Sequence, residues 1–250
     1  MIHTALLRLQ GLATSFPRLR PVLPTALVVG AGDAAVECAG NLAAQGFKTV
    51  LISSRAVSDA TRETIEHAGV EIIEKAEIKA IAGAVGSFEV TVARSGKSKS
   101  LLAGVIILDG GALLLEQLAT IQNLLGLPDD AAWLRPSADS GIDAPETLVR
   151  GVYFCQAGET PDHATTWGLA AAARASALLA SRHIRLASNV ARVESFRCRG
   201  CGDCEKVCGY YAIRVEIAET GTGTAAVDDV LCRGCGNCAA HCRSGAIVME

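Results

Sequence analysis

Cys198-Arg199-Gly200-Cys201-Gly202-Asp203-Cys204-Glu205-Lys206-Val207-Cys208 is answered 34 positions later by Cys232-Arg233-Gly234-Cys235-Gly236-Asn237-Cys238-Ala239-Ala240-His241-Cys242. Each run spaces its cysteines C-x2-C-x2-C-x3-C, and together they hold eight of the ten cysteines in the chain. The recurrence extends to Arg199 and Arg233, Gly200 and Gly234, Gly202 and Gly236, Ala212 and Ala246, and Ile213 and Ile247. Glycines here let a loop wrap closely round a bound group and turn backbone N–H groups towards it. The Ala-Ile pairs are expected to begin strands that cover that group. Paired C-x-x-C motifs also hold structural zinc, but zinc pairs are normally separated by a longer spacer, not packed four to a run.

The spacing resembles that of the bacterial ferredoxins, in which four thiolates hold a [4Fe–4S] cube and the fourth cysteine of each run serves the other cube. The resemblance implies one cluster on Cys198, Cys201, Cys204 and Cys242, and a second on Cys232, Cys235, Cys238 and Cys208. The family usually has Pro after the fourth cysteine, whereas Gly209 and Arg243 stand there in this chain. Pro is no ligand, so binding is expected to survive its loss. Arg243 is expected to place a cation near the first cluster and to raise its potential.

The chain has 250 residues, enough for one sizeable core and a small appended module. Half of its residues are hydrophobic and only 4% aromatic, with abundant Gly, which suits closely packed α/β layers. A formal net charge of -3 gives no basic field for nucleic acid. The apolar stretch from Gly168 to Ala180 is too short to span a bilayer and contains Arg174, so no membrane insertion is expected. With the cysteines gathered into ligand runs and no secretion signal read, the expected setting is the reduced cytoplasm.

Near the start, Leu6, Leu9 and Leu12 fall on one helical face, and Pro17, Pro21 and Pro24 then end any helix. Residues 1–24 read as an arm. Ala26-Leu27-Val28-Val29-Gly30 is then a buried strand, and Gly30-Ala31-Gly32-Asp33-Ala34-Ala35 opens a helical run to Gln45. This is G-x-G-x-x-A between a strand and a helix, the context of a dinucleotide fingerprint. Gly30 would make the tight turn, Gly32 would let the backbone approach a pyrophosphate, and Ala35 would allow close helix–strand packing. The helix N-terminus would offer its free N–H groups to the anion. Lys48–Ser53 is the second strand, and it ends in Ser53, Ser54 and Arg55, where an acidic residue usually holds ribose hydroxyls. Serines bond a ribose weakly, and Arg55 suits a 2′-phosphate. The motif resembles the NADPH half of thioredoxin-reductase-like flavoproteins, with Arg55 the one residue left of their His-Arg-Arg signature.

From Gly69 onward a meander of strands is expected, with Glu89–Ala93 alternating by twos, a hairpin turn at Ser95-Gly96-Lys97, and a buried strand from Gly104 to Leu108. Gly151-Val152-Tyr153-Phe154-Cys155-Gln156-Ala157-Gly158 is another buried strand with a glycine turn, followed by a helix from about Ala164 to Ser181. Flavoproteins often carry Gly-Asp at that turn, and Gly158 is followed by Glu159. Cys38 and Cys155 lie alone in apolar elements and read as small hydrophobes, not a redox dithiol. The five histidines are scattered and form no metal constellation.

The blocks Leu27-Val28-Val29-Gly30-Ala31-Gly32, Asn41 to Phe47, Ala82 to Val92, Gly151-Val152-Tyr153-Phe154 with Ala170 to Ala175, and the closing cysteine repeat come in one order. In that order they resemble the FAD-binding subunit of heterodisulfide reductase and its relatives. The resemblance implies FAD, [4Fe–4S] clusters and a place among other redox subunits in a larger complex; NADP is the lesser expectation. The altered glycine loop and strand end, and a shortened middle, depart from that family. The expected architecture is an α/β Rossmann-like domain over 25–182, a linker over 183–190, and an α+β ferredoxin-like dicluster module over 191–250. The leading expectation is an electron-transfer subunit with FAD possible in the first domain. A self-contained NAD(P)H-dependent oxidoreductase and a scaffold with an empty nucleotide domain stay open beside it. The first domain carries one fingerprint, not the two that would bring a nicotinamide and a flavin into contact for hydride transfer.

Overall fold

The computed structural model describes residues 18–125, 145–147, 149–155, 161–218 and 221–250. The expected arm up to residue 17, and Gly158, lie outside the described residues. Two compact units emerge, Pro21–Ile184 and a second that runs from Arg185 to Glu250 and takes in the described residues before Pro21. Two short strands, β1 (Leu19–Pro21) and β10 (His183–Arg185), fall in sequence at the boundaries of the units.

The first unit is built on a parallel sheet. Its centre is β2 (Thr25–Val29), flanked by β3 (Lys48–Ser53) and β8 (Val105–Asp109), with β4 (Glu71–Glu74) and β9 (Val152–Cys155) at the edges. All four neighbouring pairs are parallel. Strands covered on both faces must be apolar throughout. Ala26-Leu27-Val28-Val29 and Val105-Ile106-Ile107-Leu108 are accordingly buried at every position. Each fully buried Val, Leu or Ile there contributes roughly 1.5–3 kcal/mol. Helix α1 (Asp33–Ala44) follows β2, and α2 (Asp59–His67), capped by the Ser58 hydroxyl accepting from the Thr61 N–H at 3.1 Å, follows β3.

The strand order β4-β3-β2-β8-β9 reverses direction between β2 and β8. In open parallel sheets that switch point is where ligands bind, outside the carboxyl ends of the strands. The crossover into β8 is a three-stranded antiparallel meander of β5 (Ala76–Ala84), β6 (Ser87–Arg94) and β7 (Lys97–Ala103). The Ser95-Gly96 turn has φ of +48° and +76°, the doubly left-handed geometry that matches the twist of a hairpin. Glu71–Glu74, expected to open this meander, instead joins the parallel sheet, and Lys75, at φ +51°, turns the chain out of it. Helix α3 (Leu115–Leu124) follows β8, and the long α4 (Pro161–Ala180) begins three residues earlier than expected. Gly168 brings α4 against α1, because a Cβ there would stand 2.5 Å from the Ala34 carbonyl oxygen.

The second unit repeats one pattern twice. Strand β11 (Ala191–Val193) pairs with β14 (Ile247–Met249), and β12 (Ile213–Ile217) with β13 (Gly223–Val227), both antiparallel. The short helices α5 (Asp203–Lys206) and α6 (Asn237–His241) carry cysteines from the two runs. The sequence repeat is also a backbone repeat. Gly200 and Gly234 have φ of +64° and +70°, Gly202 and Gly236 +76° and +78°, and Tyr211 and Gly245 +51° and +59°. Added Cβ atoms would stand 2.5 Å from the Gly223 oxygen at Gly200 and 2.3 Å from the Asn189 oxygen at Gly234. The expected strands do begin at Ile213 and Ile247.

The apolar core of this unit is thin. Three of its buried members are cysteines, Cys204, Cys232 and Cys238, and others are alanines, Ala191, Ala212 and Ala225. A module this small seldom folds on apolar burial alone and gains its stability from whatever its thiols bind. Removing bound metal from the whole chain should therefore unfold residues 191–250 while the sheet of the first unit persists. Hydrogen exchange read by mass spectrometry checks this. Loss of amide protection confined to the second unit is the expected result, and equal protection before and after metal removal would refute it.

Candidate cluster and nucleotide sites

The eight cysteines of the repeat separate into two cavities. One is lined by Cys198, Cys201, Cys204 and Cys242, and the other by Cys208, Cys232, Cys235 and Cys238. Each takes three thiols from one run and the fourth from the other, so the two runs fold across each other. Cys204 and Cys238 sit buried on α5 and α6, whereas Cys201 and Cys235 are exposed and mark the side open to solvent. Burial pushes the Cys204 and Cys238 thiols up. Cys242 is held below the ordinary thiol range, first by the Ser244 hydroxyl.

Donors point at the ligand-position sulfurs. The Ala212 N–H donates to Cys208 Sγ at 3.3 Å and the Ala246 N–H to Cys242 Sγ at 3.2 Å. Both alanines are buried, so a small side chain fits where each begins the backbone return after a fourth cysteine. The Ala225 N–H adds a contact to Cys198 Sγ at 3.4 Å, and Ser244 Oγ lies 3.5 Å from Cys242 Sγ. Such bonds stabilise thiolate charge and tune a bound metal group. Arg243, expected to set a cation by the first cavity, is 90% exposed at its side chain and lies 3.8 Å from Asp203. Solvent and the carboxylate screen part of its field, and Asp203 itself lines the first cavity.

Among the described residues, no three His, Cys, Asp or Glu side chains close on a point fit for one metal ion.

The expected nucleotide residues meet a different situation. Gly30 has φ +114° and its N–H donates to the Ile52 carbonyl at 2.8 Å. Gly32 caps α1, and Ala35 is fully buried where α1 packs on the sheet. Ser53 is buried and its hydroxyl accepts the Arg55 N–H at 3.3 Å. Arg55 is exposed, and Ser54 lines a cavity of about 310 Å³ with Val29, Ile52 and α3 residues such as Glu116 and Gln117. The loop, the end of β3 and this cavity lie together, while Gly158 falls outside the described residues.

The residue that sequence reasoning missed is Asp109, at the carboxyl end of β8. Its carboxylate is fully buried and accepts the Gly32 N–H at 2.6 Å, the Gly111 N–H at 3.0 Å and the Ala112 N–H at 3.3 Å. Burial pushes the pKa of its carboxyl group up, against the pull of those three N–H groups and with a further push from Asp33. The Gly32 N–H is the donor that a pyrophosphate would need. As the loop stands, the residues do not fit one: an anion brought within about 4 Å of an ionised Asp109 would meet repulsion of about 4 kcal/mol at an effective dielectric constant near 20. The available signal was an acid closing the apolar run Val105-Ile106-Ile107-Leu108, just before Gly110-Gly111. Cys38 and Cys155 are both fully buried, with burial pushing Cys38 up to about 12 and Cys155 well up, so both thiols stay protonated and inert.

Residues 25–96 match the pyridine nucleotide-disulphide oxidoreductase family, and residues 197–246 match the 4Fe-4S dicluster domain. No curated protein matches the chain. Among solved structures, Thermovibrio ammonificans THI4 is 10% identical, with 72% of this chain and 97% of that one covered at a TM-score of 0.49. The bacillithiol disulfide reductase Bdr of Bacillus cereus is 14% identical, with 35% of this chain and 39% of that one covered at a TM-score of 0.31. L-proline dehydrogenase from P. horikoshii is 20% identical, with 36% of this chain and 22% of that one covered at a TM-score of 0.30. The chain thus spans less than half the length of the last two proteins. It joins a Rossmann-like domain of the FAD/NAD-binding type to a dicluster ferredoxin domain, a redox combination. The second match implies two [4Fe–4S] clusters, and the first is consistent with FAD. Among the described residues, no helix is long and apolar enough to cross a membrane.

The crossed lining of the two cavities predicts which metal group each cysteine serves. Cys208→Ala should remove the cluster held by Cys232, Cys235 and Cys238 and leave the one nearer in sequence. EPR of the reduced variant separates the outcomes. Loss of the signal that also disappears in Cys204→Ala would show that the runs do not cross.

Proposed function

We propose that this chain is an iron–sulfur electron-transfer subunit of a heterodisulfide-reductase-like complex. The observation that carries this reading is the sorting of eight cysteines into two three-plus-one cavities within one small module. Cys198, Cys201, Cys204 and Cys242 would hold one [4Fe–4S] cluster, and Cys232, Cys235, Cys238 and Cys208 the other. Bound clusters supply one-electron chemistry, each accepting and releasing a single electron without breaking a bond. The chain's own part is to hold and tune. The Ala212, Ala225 and Ala246 N–H groups and the Ser244 hydroxyl offset sulfur charge, and the exposed Cys201 and Cys235 put the clusters near the surface for exchange with partners.

Three further points support a place in a complex. The block order resembles that of the FAD-binding subunit of heterodisulfide reductase. From Ser195 onward the module carries six Lys or Arg and seven Asp or Glu, a near balance unlike the strong acidity that steers free ferredoxins between partners. Large apolar side chains stand out on its surface, Phe196 at 86% and Ile217 at 76% exposure. The first domain is read as the part that docks to, or takes electrons from, another redox protein of the complex, and no step is assigned to a flavin there. A complete NAD(P)H-oxidising enzyme is the weaker reading, because the described residues of the first unit form one Rossmann-like sheet, and hydride transfer needs a nicotinamide held against a flavin.

Native mass spectrometry of the protein, drawn without overexpression from its own cell, tests the reading. The expected result is a stable hetero-complex with other redox subunits. A monomer of 25.9 kDa plus clusters that reduces a one-electron dye with NADH or NADPH at a rapid, saturable rate would overturn it.

A further inference from the structure

We propose that Asp109 is a built-in anion that shuts the glycine loop of the first domain to the pyrophosphate of a dinucleotide. This inference is independent of the electron-transfer reading, since it concerns the first domain alone.

The fold places Asp109 at the switch point. Strands β2 and β8 are neighbours in register from Ala26–Val105 to Val29–Leu108, so the residue after Leu108 emerges beside the loop after Val29. That loop holds Gly30 and Gly32, and the residue is Asp109. Its side chain crosses to the loop and takes the Gly32 N–H at 2.6 Å with one oxygen, while the other accepts from Gly111 and Ala112. The carboxylate is fully buried.

The glycines serve this contact. A Cβ on Gly30 would stand 2.5 Å from Asp109 Cβ, and one on Gly32 would stand 2.7 Å from Asp109 Oδ2. Small residues in a dinucleotide loop ordinarily let the backbone approach a phosphate. Here the same small residues let it approach a carboxylate of the same chain. A phosphate competes for the same N–H and carries the same sign of charge. Asp33, in the first turn of α1, adds a second negative group at the mouth of the loop. The strand, loop and helix that make the sequence match the FAD/NAD-binding family thus persist, with their anion supplied internally.

Adenosine carries no phosphate and would not compete with Asp109, whereas ADP, FAD and the nicotinamide dinucleotides would. The full chain with its clusters is titrated by calorimetry with adenosine, ADP, FAD, NADH and NADPH, as wild type, Asp109→Ala and Asp109→Asn. The wild type should show no saturable binding of the phosphate-bearing ligands up to about millimolar concentration. Asp109→Ala should bind ADP and at least one dinucleotide ten-fold or more tightly than the wild type, with adenosine unchanged. Asp109→Asn keeps the side-chain volume and tests the charge alone, with a smaller gain in the same direction. Thermal melting and the cluster spectrum establish that each variant is folded. Micromolar binding of any dinucleotide by the wild type would overturn the proposal, and so would a folded Asp109→Ala that binds ADP no better. If both variants fail to fold, the wild-type titration alone decides: tight binding refutes the plug, and none up to millimolar upholds it.

Discussion

Eight thiols must be delivered as two groups of four by a module with little else in its core. Three of those cysteines count among the buried residues of the module, and its apolar members are few and small. The chain meets the demand by using one loop twice. Left-handed glycines at Gly200 and Gly202, and again at Gly234 and Gly236, turn each run so that its first three thiols face one cavity. The fourth thiol of each run lies beyond a short helix and reaches the other cavity. An alanine N–H then closes on that fourth sulfur in both halves. Folding and ligation are therefore expected to be coupled in this unit, as in small metal-bound modules generally.

The first unit obeys a different constraint. A five-stranded parallel sheet needs apolar cover on both faces, and its binding crevice falls at the reversal between β2 and β8. The backbone features of a nucleotide loop are arranged there, from the φ +114° turn at Gly30 to the helix start at Gly32. Yet the chemistry of the crevice is set by Asp109, whose carboxylate already meets three backbone donors. A fold of this type and the ability to hold its usual ligand are separable properties, because the ligand site rests on a few side chains at the strand ends.

Patterns that repeat over a few residues were legible in the sequence. The cysteine spacing identified the cluster module, apolar runs identified β2, β3, β8 and β9, and the 34-residue repeat foretold the strands at Ile213 and Ile247. What escaped depends on contacts between distant segments. Asp109 lies 77 positions from the glycine it binds, and no local pattern links the two. Glu71–Glu74 runs on in sequence into the first strand of the meander, and only the left-handed Lys75 parts the two, so that Glu71–Glu74 edges the parallel sheet.

Two cubes on crossed sets of cysteines in this small module are tested by iron and acid-labile sulfide per chain after anaerobic purification, together with zinc. The expected result is about eight iron and about eight sulfide per chain, four of each to a cube, with negligible zinc. About two zinc per chain without sulfide, or iron that stops near four, would contradict it.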